Sequence, residues 1–517
     1  MRDTSVTQIF KGTLPQLIAV ITGTMSALSD GMHYGWSAPL IPVLQSDTSP
    51  VKITEYDAAW LENIYLLGGI AGLPVTIFLV DRIGRQKTIL GACVTSLIAW
   101  TTIAAATSIE CLYAARFLAG FSGDVNFVAA PMYIAEIADQ KIRGFLSGVI
   151  YLMMLIGILI IYSVGPFVPV YASCVVGAVF LIFELITYPF MPESPYYLLA
   201  KNRYEAAQKS LRRLRGTQNV DKELQEIAQA VQRQRSERGR PQDLLLVKSN
   251  RKALLIMSVL NGSQHLSSIS VILMNLHKIL EAAGSIYIAP KAAAIIFSAV
   301  MLSAASSASF VIDRYGRKIL LTTSSFLTGL SLLVVAIYFQ LKNSDVDVAA
   351  VSWIPTVAVM VYAAVFKMGL GMVPIVMTAE LFPARVKAMG ITASNMMYLV
   401  FALVSIEVYH VLSEKYGIQV PFFMFGGACL VTAVFSAFFI PETKGKTLDE
   451  IQFILKGEPY PPRGLENGSK NNAEHFSLAK TVTWPSSLQI HQPTETGGPD
   501  PIQLPRQIRR SKNDVTA

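Results

Sequence analysis

Along most of this chain apolar residues arrive in unbroken runs, not at the three-or-four spacing of a helix with one wet face. A helix that is apolar all round needs an apolar medium on every side. Runs of about 20 residues, at ~1.5 Å rise each, match a bilayer core of ~30 Å. Twelve runs are predicted as membrane spans: residues 14–36, 58–80, 87–107, 111–135, 145–166, 169–190, 252–276, 289–312, 318–341, 353–379, 388–410 and 418–440.

Six spans precede a longer polar stretch and six follow it. The predicted organisation is an N-terminal segment (1–13), a six-helix half (14–190), a polar central loop (191–251), a second six-helix half (252–440) and a tail (441–517). Within the loop, Tyr204–Arg215 and Lys222–Arg235 have helical, surface-seeking composition. After about 457 the chain turns to Pro, Ser, Asn, Gln and Thr without apolar periodicity, which predicts disorder.

Composition agrees with the pattern. Of 517 residues 52% are hydrophobic and only 15% charged, against roughly a quarter charged in soluble domains. The net charge of +8 does not point to nucleic acid, because the bases sit in short inter-span turns and in the central loop. One set of turns carries Arg82, Arg85, Lys87, Lys141, Arg143, Arg314, Arg317, Lys318, Arg385, Lys387, Lys444 and Lys446. The opposite set has only Lys52, Lys278, Lys342 and Lys415. By the positive-inside rule the first set, and with it both termini, is expected in the cytoplasm. The four cysteines follow no disulfide or metal spacing. No nucleophile–base pair stands out either, so neither enzyme chemistry nor a cofactor or metal is expected.

The two halves repeat one another. Asp81-Arg82-Ile83-Gly84-Arg85-Gln86-Lys87 returns as Asp313-Arg314-Tyr315-Gly316-Arg317-Lys318. Glu136 with Arg143 returns as Glu380 with Arg385, and Pro192-Glu193-Ser194 as Pro441-Glu442-Thr443. The glycine permits a sharp turn, and the charges fall at helix ends. These matched stations are read as a cytoplasmic gate, with ion pairs between helix ends of the two halves. Repeated six-helix halves belong to transporters that rock about a central site.

Together these stretches, with Arg116-Phe117-Leu118-Ala119-Gly120, Pro131–Ile137 and Gln264-His265-Leu266-Ser267, resemble the sugar-porter branch of the major facilitator superfamily. That branch includes facilitative glucose and trehalose transporters. The resemblance implies an all-α membrane protein of twelve helices in two pseudo-symmetric halves, working by alternating access. It also implies a small-molecule partner, most simply a hexose or trehalose moved by facilitated diffusion, and plasma-membrane residence. The family's sugar ligands match unevenly. Gln264 is kept, while His265, Ser270 and Tyr151 stand where the family has amides. The family's Gly-Pro-x-Pro-Trp reads Gly371-Met372-Val373-Pro374-Ile375, its glycine in span 7 reads Ser268, and Ile77 replaces a glycine ahead of the first turn.

Ionisable residues inside the spans add candidates, since each costs at least ~2.5–3.5 kcal/mol on insertion scales and normally faces water, a partner or a solute. Asp30 and His33, three residues apart, are read as a helix-face pair able to carry a proton, or as a mutually satisfied polar pair. Asp124 and Lys367 are read as ligands of an ionic solute, as a structural bridge, or as two unrelated residues facing water. Ser37 occupies the place where proton-coupled relatives carry an aspartate. Glu184 and Glu407 are expected at the membrane interface. Two alternatives to sugar transport stay open: transport of a non-sugar organic ion, with or without protons, and a non-transporting sensor.

Overall fold

The computed structural model describes residues 13–46, 49, 51–139, 142–236, 240, 242–383, 386–446 and 448–457, apart from the side chains of 234–236, 309, 310, 313, 379, 388, 448 and 449. The stretch after 457 that is predicted to be disordered, Lys141 and Arg385 lie outside these residues, as does the side chain of Asp313.

Twelve helical spans form two six-helix halves. Among the described residues ten helices are long and apolar enough to cross a membrane. Span 2 is Glu55–Ile83, span 3 Arg85–Ala104, span 4 Ile109–Ile137, span 5 Arg143–Val164 and span 6 Val170–Thr187. Span 8 is Pro290–Tyr315, span 9 Arg317–Asn343, span 11 Lys387–Tyr416 and span 12 Gln419–Phe439. Span 1 is interrupted at Gly23–Thr24 and again at Trp36, so that it continues as Met25–Gly35 and Ser37–Leu44, well past the predicted end at 36. Span 7 is Lys248–His265 followed by Ile269–Ala283, and span 10 is Ile354–Met368 followed by Val373–Leu381. The uninterrupted run of apolar letters hid both breaks.

Packing follows the repeat. Span 4 lies against spans 2 and 3 and span 1 against span 5; in the other half span 9 lies against spans 10 and 12, and span 8 against span 10. The halves meet where span 5 packs on span 8 and span 2 on span 11. Between the halves run four short helices, Pro195–Ala200, Tyr204–Arg215, Asp221–Ser236 and Asp243–Leu246. The first three share a small apolar core built on Leu198, Ala207, Leu211, Leu224 and Ile227. Arg215 anchors them to the first half, donating to the Ile137 carbonyl at 2.8 Å while paired with Glu223 at 2.7 Å. A final helix, Leu448–Lys456, packs on spans 7 and 10.

Candidate functional site

The two Asp-Arg-x-Gly-Arg turns mark one end of the bundle, here the basic-turn end. Gly84 (φ +103°) and Gly316 (φ +91°) both adopt backbone conformations that other residues rarely hold. A second reason for glycine is a carboxylate lying where a β-carbon would stand: Glu193 against Gly84 and Glu442 against Gly316. Glu193 accepts from the backbone N–H of Arg85 and Gln86 at 3.2 Å. Glu442 accepts from Arg317 and Lys318 at 3.0 Å. Each acid therefore caps the first turn of the helix after its glycine, where unpaired N–H groups and the helix dipole favour negative charge.

Beside each cap sits an ion pair. Arg85 Nη2 meets Glu136 Oε1 at 2.9 Å, and Arg317 Nη2 meets Glu380 Oε1 at 2.9 Å. Ser194 donates to Glu136, and Thr443 donates to Glu380 at 2.6 Å. Every one of these bonds stays inside its own half. In this conformation none of these stations is paired across the halves among the described residues: Glu136 and Glu380 have their charge and hydrogen-bond capacity met by neighbours on adjacent helix ends of the same half. Asp81 lies 3.8 Å from Arg85. Arg82 stacks on Phe78, Arg314 on Tyr315, and Arg143 donates to the Ala138 carbonyl at 3.1 Å.

The two caps differ in charge environment. Burial holds the Glu193 carboxyl above the usual carboxylate range, although backbone N–H groups and Arg85 pull the other way. Burial would raise Glu442 as well, but N–H groups of Lys444, Arg317, Lys318 and Thr443 together hold it below that range.

At the opposite end the polar bonds cross between halves. Asn275 donates to Glu62 at 3.0 Å, and His410 Nε2 lies 3.2 Å from the same oxygen. Glu62 is 1% exposed. Lys278 reaches Glu55 at 2.5 Å, and Asn63 donates to Glu407. Tyr162 donates to the Leu273 carbonyl at 2.5 Å and Lys291 to that of Pro166 at 2.9 Å. Glu407, expected at the interface, belongs to this network. Glu62, Asn275 and His410 were missed by sequence reasoning, though a lone acid inside the apolar run of span 2 was a usable signal.

Near mid-span the predicted residues sort differently from expectation. Asp30 accepts from Tyr65 at 2.8 Å and lies against Gly123 of span 4, where a β-carbon would stand only 2.0 Å from its oxygen. His33 turns elsewhere and stacks on Trp100 of span 3, with ring centres 3.8 Å apart. The Asp30–His33 pair is thus not assembled, although both share a helix face: the carboxylate is taken by Tyr65 and the imidazole by the Trp100 ring. Asp124 lies over Gly69 of span 2, where a β-carbon would stand 1.9 Å from its oxygen. Lys367 lies 6.0 Å from the Phe366 ring. No ion pair joins Lys367 to Asp124 among the described residues, which removes the bridge expectation. Glu184, near the end of span 6, is fully buried within the protein and accepts from Ser26 at 3.2 Å.

Arg116, fully buried, spends its donors on the carbonyls of Leu61 (3.1 Å) and His33 (2.7 Å) and on Ser37 Oγ (3.4 Å). Its guanidinium also faces Tyr65 and Trp36, at 4.5 and 5.1 Å from the ring centres.

The remaining candidates gather at the break of span 7. Ser268 there has φ +71°, a conformation that normally belongs to glycine. His265 Nδ1 lies 2.8 Å from Ser270 Oγ, which lies 2.9 Å from Tyr34 Oη of span 1. This is a hydrogen-bonded chain across the halves. Gln264 donates its amide protons to the Leu370 and Gly371 carbonyls, at 3.0 and 3.1 Å, and its side-chain oxygen takes no hydrogen bond among the described residues. Tyr151 packs beside Phe127. The structure joins His265 to Ser270 and adds Tyr34, which the sequence reading passed over, while Gln264 at the same break turns to span 10.

The description "Sugar (and other) transporter" fits a family model matching residues 16–455. A facilitated trehalose transporter of Polypedilum vanderplanki is 31% identical over 451 residues, covering 86% of this chain and 88% of the relative. A facilitated trehalose transporter of Aedes aegypti is 29% identical over 447 residues, 86% of this chain but 55% of that longer protein. Among solved structures, the inward open conformation of the xylose transporter XylE from E. coli aligns with TM-score 0.70 and 18% identity, over 84% of this chain and 98% of that one. The fold is therefore that of a major facilitator transporter, and the chain belongs to the sugar transporter family.

Proposed function

We propose that this chain carries a small neutral sugar, a hexose or trehalose, across the membrane by alternating access and without an energy source. The observation carrying this reading is the division of polar bonds. Among the described residues, the side-chain bonds that cross between the halves lie at mid-span or toward the end opposite the basic turns, while bonds at the basic-turn end stay within one half. Such a molecule is closed at one end and free to part at the other. With the Lys and Arg bias, the basic-turn end is cytoplasmic and this conformation faces inward. The solute lies near the break of span 7, against the Gln264 carbonyl oxygen, Ser270, His265 and Tyr34. These groups accept and donate as sugar hydroxyls require. The trehalose transporters among its relatives support this choice of solute.

A second reading, a non-sugar organic ion, is favoured by Asp124 and Lys367, neither of which has an ion-pair partner among the described residues. Uptake of radiolabelled trehalose and glucose, and of organic cations and anions, in transport-null cells at two pH values separates the two. Saturable sugar uptake that does not change with pH is expected. Uptake confined to ions, or tracking the proton gradient, would replace the sugar reading.

A further inference from the structure

Breaking a helix inside a membrane frees backbone groups that lipid cannot satisfy, so each must find a partner within the protein. The breaks of spans 7 and 10 solve this jointly. The Leu370 and Gly371 carbonyls, in the break of span 10, accept from Gln264 of span 7. The Ser267 carbonyl, in the break of span 7, accepts from Tyr362 of span 10 at 2.8 Å. Each broken helix thus donates a side chain to the backbone that the other has exposed. Neighbouring spans meet what remains. Ser324 of span 9 accepts from the Leu370 N–H at 2.9 Å and donates to the Val365 carbonyl at 2.8 Å, and Ser405 of span 11 donates to the His265 carbonyl at 2.8 Å. Tyr362 is fully buried, and its ring lies parallel to Phe366 at 5.5 Å between centres.

From this reciprocity we infer that Tyr362 is a positioning residue for solute recognition: with Gln264 it stitches the two broken helices into one joint. The stitch fixes the direction in which the Gln264 carbonyl oxygen faces the solute. Gln264 cannot rotate to offer its NH2 group without abandoning two carbonyls of span 10. The tyrosine hydroxyl, by holding the break from which Gln264 reaches them, sets where those carbonyls meet the glutamine amide. The site therefore presents an acceptor here, and selects a solute with a hydroxyl donor at that point. The inference rests on the sugar reading for its solute but on geometry alone for the stitch.

Two measurements test it. Tyr362→Phe removes one hydroxyl and keeps the stacked ring. It is expected to raise KM for trehalose or glucose about fivefold, the worth of one net hydrogen bond, with Vmax within about twofold. An unchanged KM would overturn the proposal, because a merely structural tyrosine would lower the amount of folded protein without altering affinity. Thermal unfolding of Tyr362→Phe, Gln264→Leu and the double variant needs no transport at all. A double loss close to the larger single loss supports one joint, and a double loss equal to the sum overturns it. Should the unaltered protein move neither sugar, the sugar reading fails while this cycle still decides the stitch.

Discussion

The two ends of the bundle use the same chemistry for opposite purposes. At the basic-turn end, Arg85–Glu136 and Arg317–Glu380 tie helix ends of one half to each other, so each half moves as a body. At the far end, Glu62 with His410 and Asn275, and Glu55 with Lys278, tie one half to the other. The first set can persist through a transport cycle, whereas the second must break for the far end to open. Charged residues at helix ends are therefore not all gate residues. What decides is whether the partner lies across the interface.

The sharpest way to break this comparison is at Glu62. Glu62→Ala leaves Asn275 and His410 without their shared acceptor, and losing one partner of a buried pair costs about 3–5 kcal/mol. The loss should fall on the closed far end. A cysteine at Ser270, buried here, should then react with a membrane-impermeant thiol reagent far faster than with Glu62 intact. An unchanged labelling rate would mean that the cross-half network does not hold this end shut.

A smaller effect is expected from Arg85→Ala and Arg317→Ala. Each removes a charge-assisted bond of about 1.5–3 kcal/mol inside one half, lowering thermal stability without exposing Ser270. Should either substitution accelerate labelling as Glu62→Ala does, the distinction between ties within and across halves collapses.

The smallest effect separates the two caps. Glu442, held below the usual range, contributes stability that is present above the unfolded carboxylate value and lost as pH falls through its lowered one. Glu193, held above the usual range, contributes stability that is full below the unfolded value and lost as pH rises through its raised one. Glu442→Gln should therefore cost more at neutral pH than Glu193→Gln, by a difference of about 1 kcal/mol or less. That gap should shrink on acidification. Thermal unfolding of both variants at neutral and mildly acidic pH measures it, and equal losses at both would mean that the two turns are electrostatically alike.

Most of the fold was legible because bilayer-length apolar runs leave little choice of structure, and the repeated turns fixed which helix follows which. Directions within the bundle were not legible. Asp30 and His33 share a stretch of span 1 but face spans 4 and 3, a choice made by Gly123 leaving room on one side and Trp100 offering a ring on the other. Glu136 and Glu380 were seen as gate residues, yet nothing in their spacing says that Arg85 and Arg317 of the same half reach them first. Span 7 read as one helix because Ser268 gives no glycine signal for a left-handed residue. Gln264 was found by type, but its amide protons serve span 10, a fact of tertiary neighbours alone.

Gly84 and Glu193, distant in the chain, occupy one small volume, as do Gly316 and Glu442. A side chain at either glycine would strain the turn, evict the capping carboxylate and disturb the neighbouring arginine pair in a single mutational step. Shortening the glutamate first would make room for the side chain but surrender the cap. Neither order of substitution passes through an undamaged intermediate, so each glycine and its glutamate constitute one epistatic unit, held together by the volume they share.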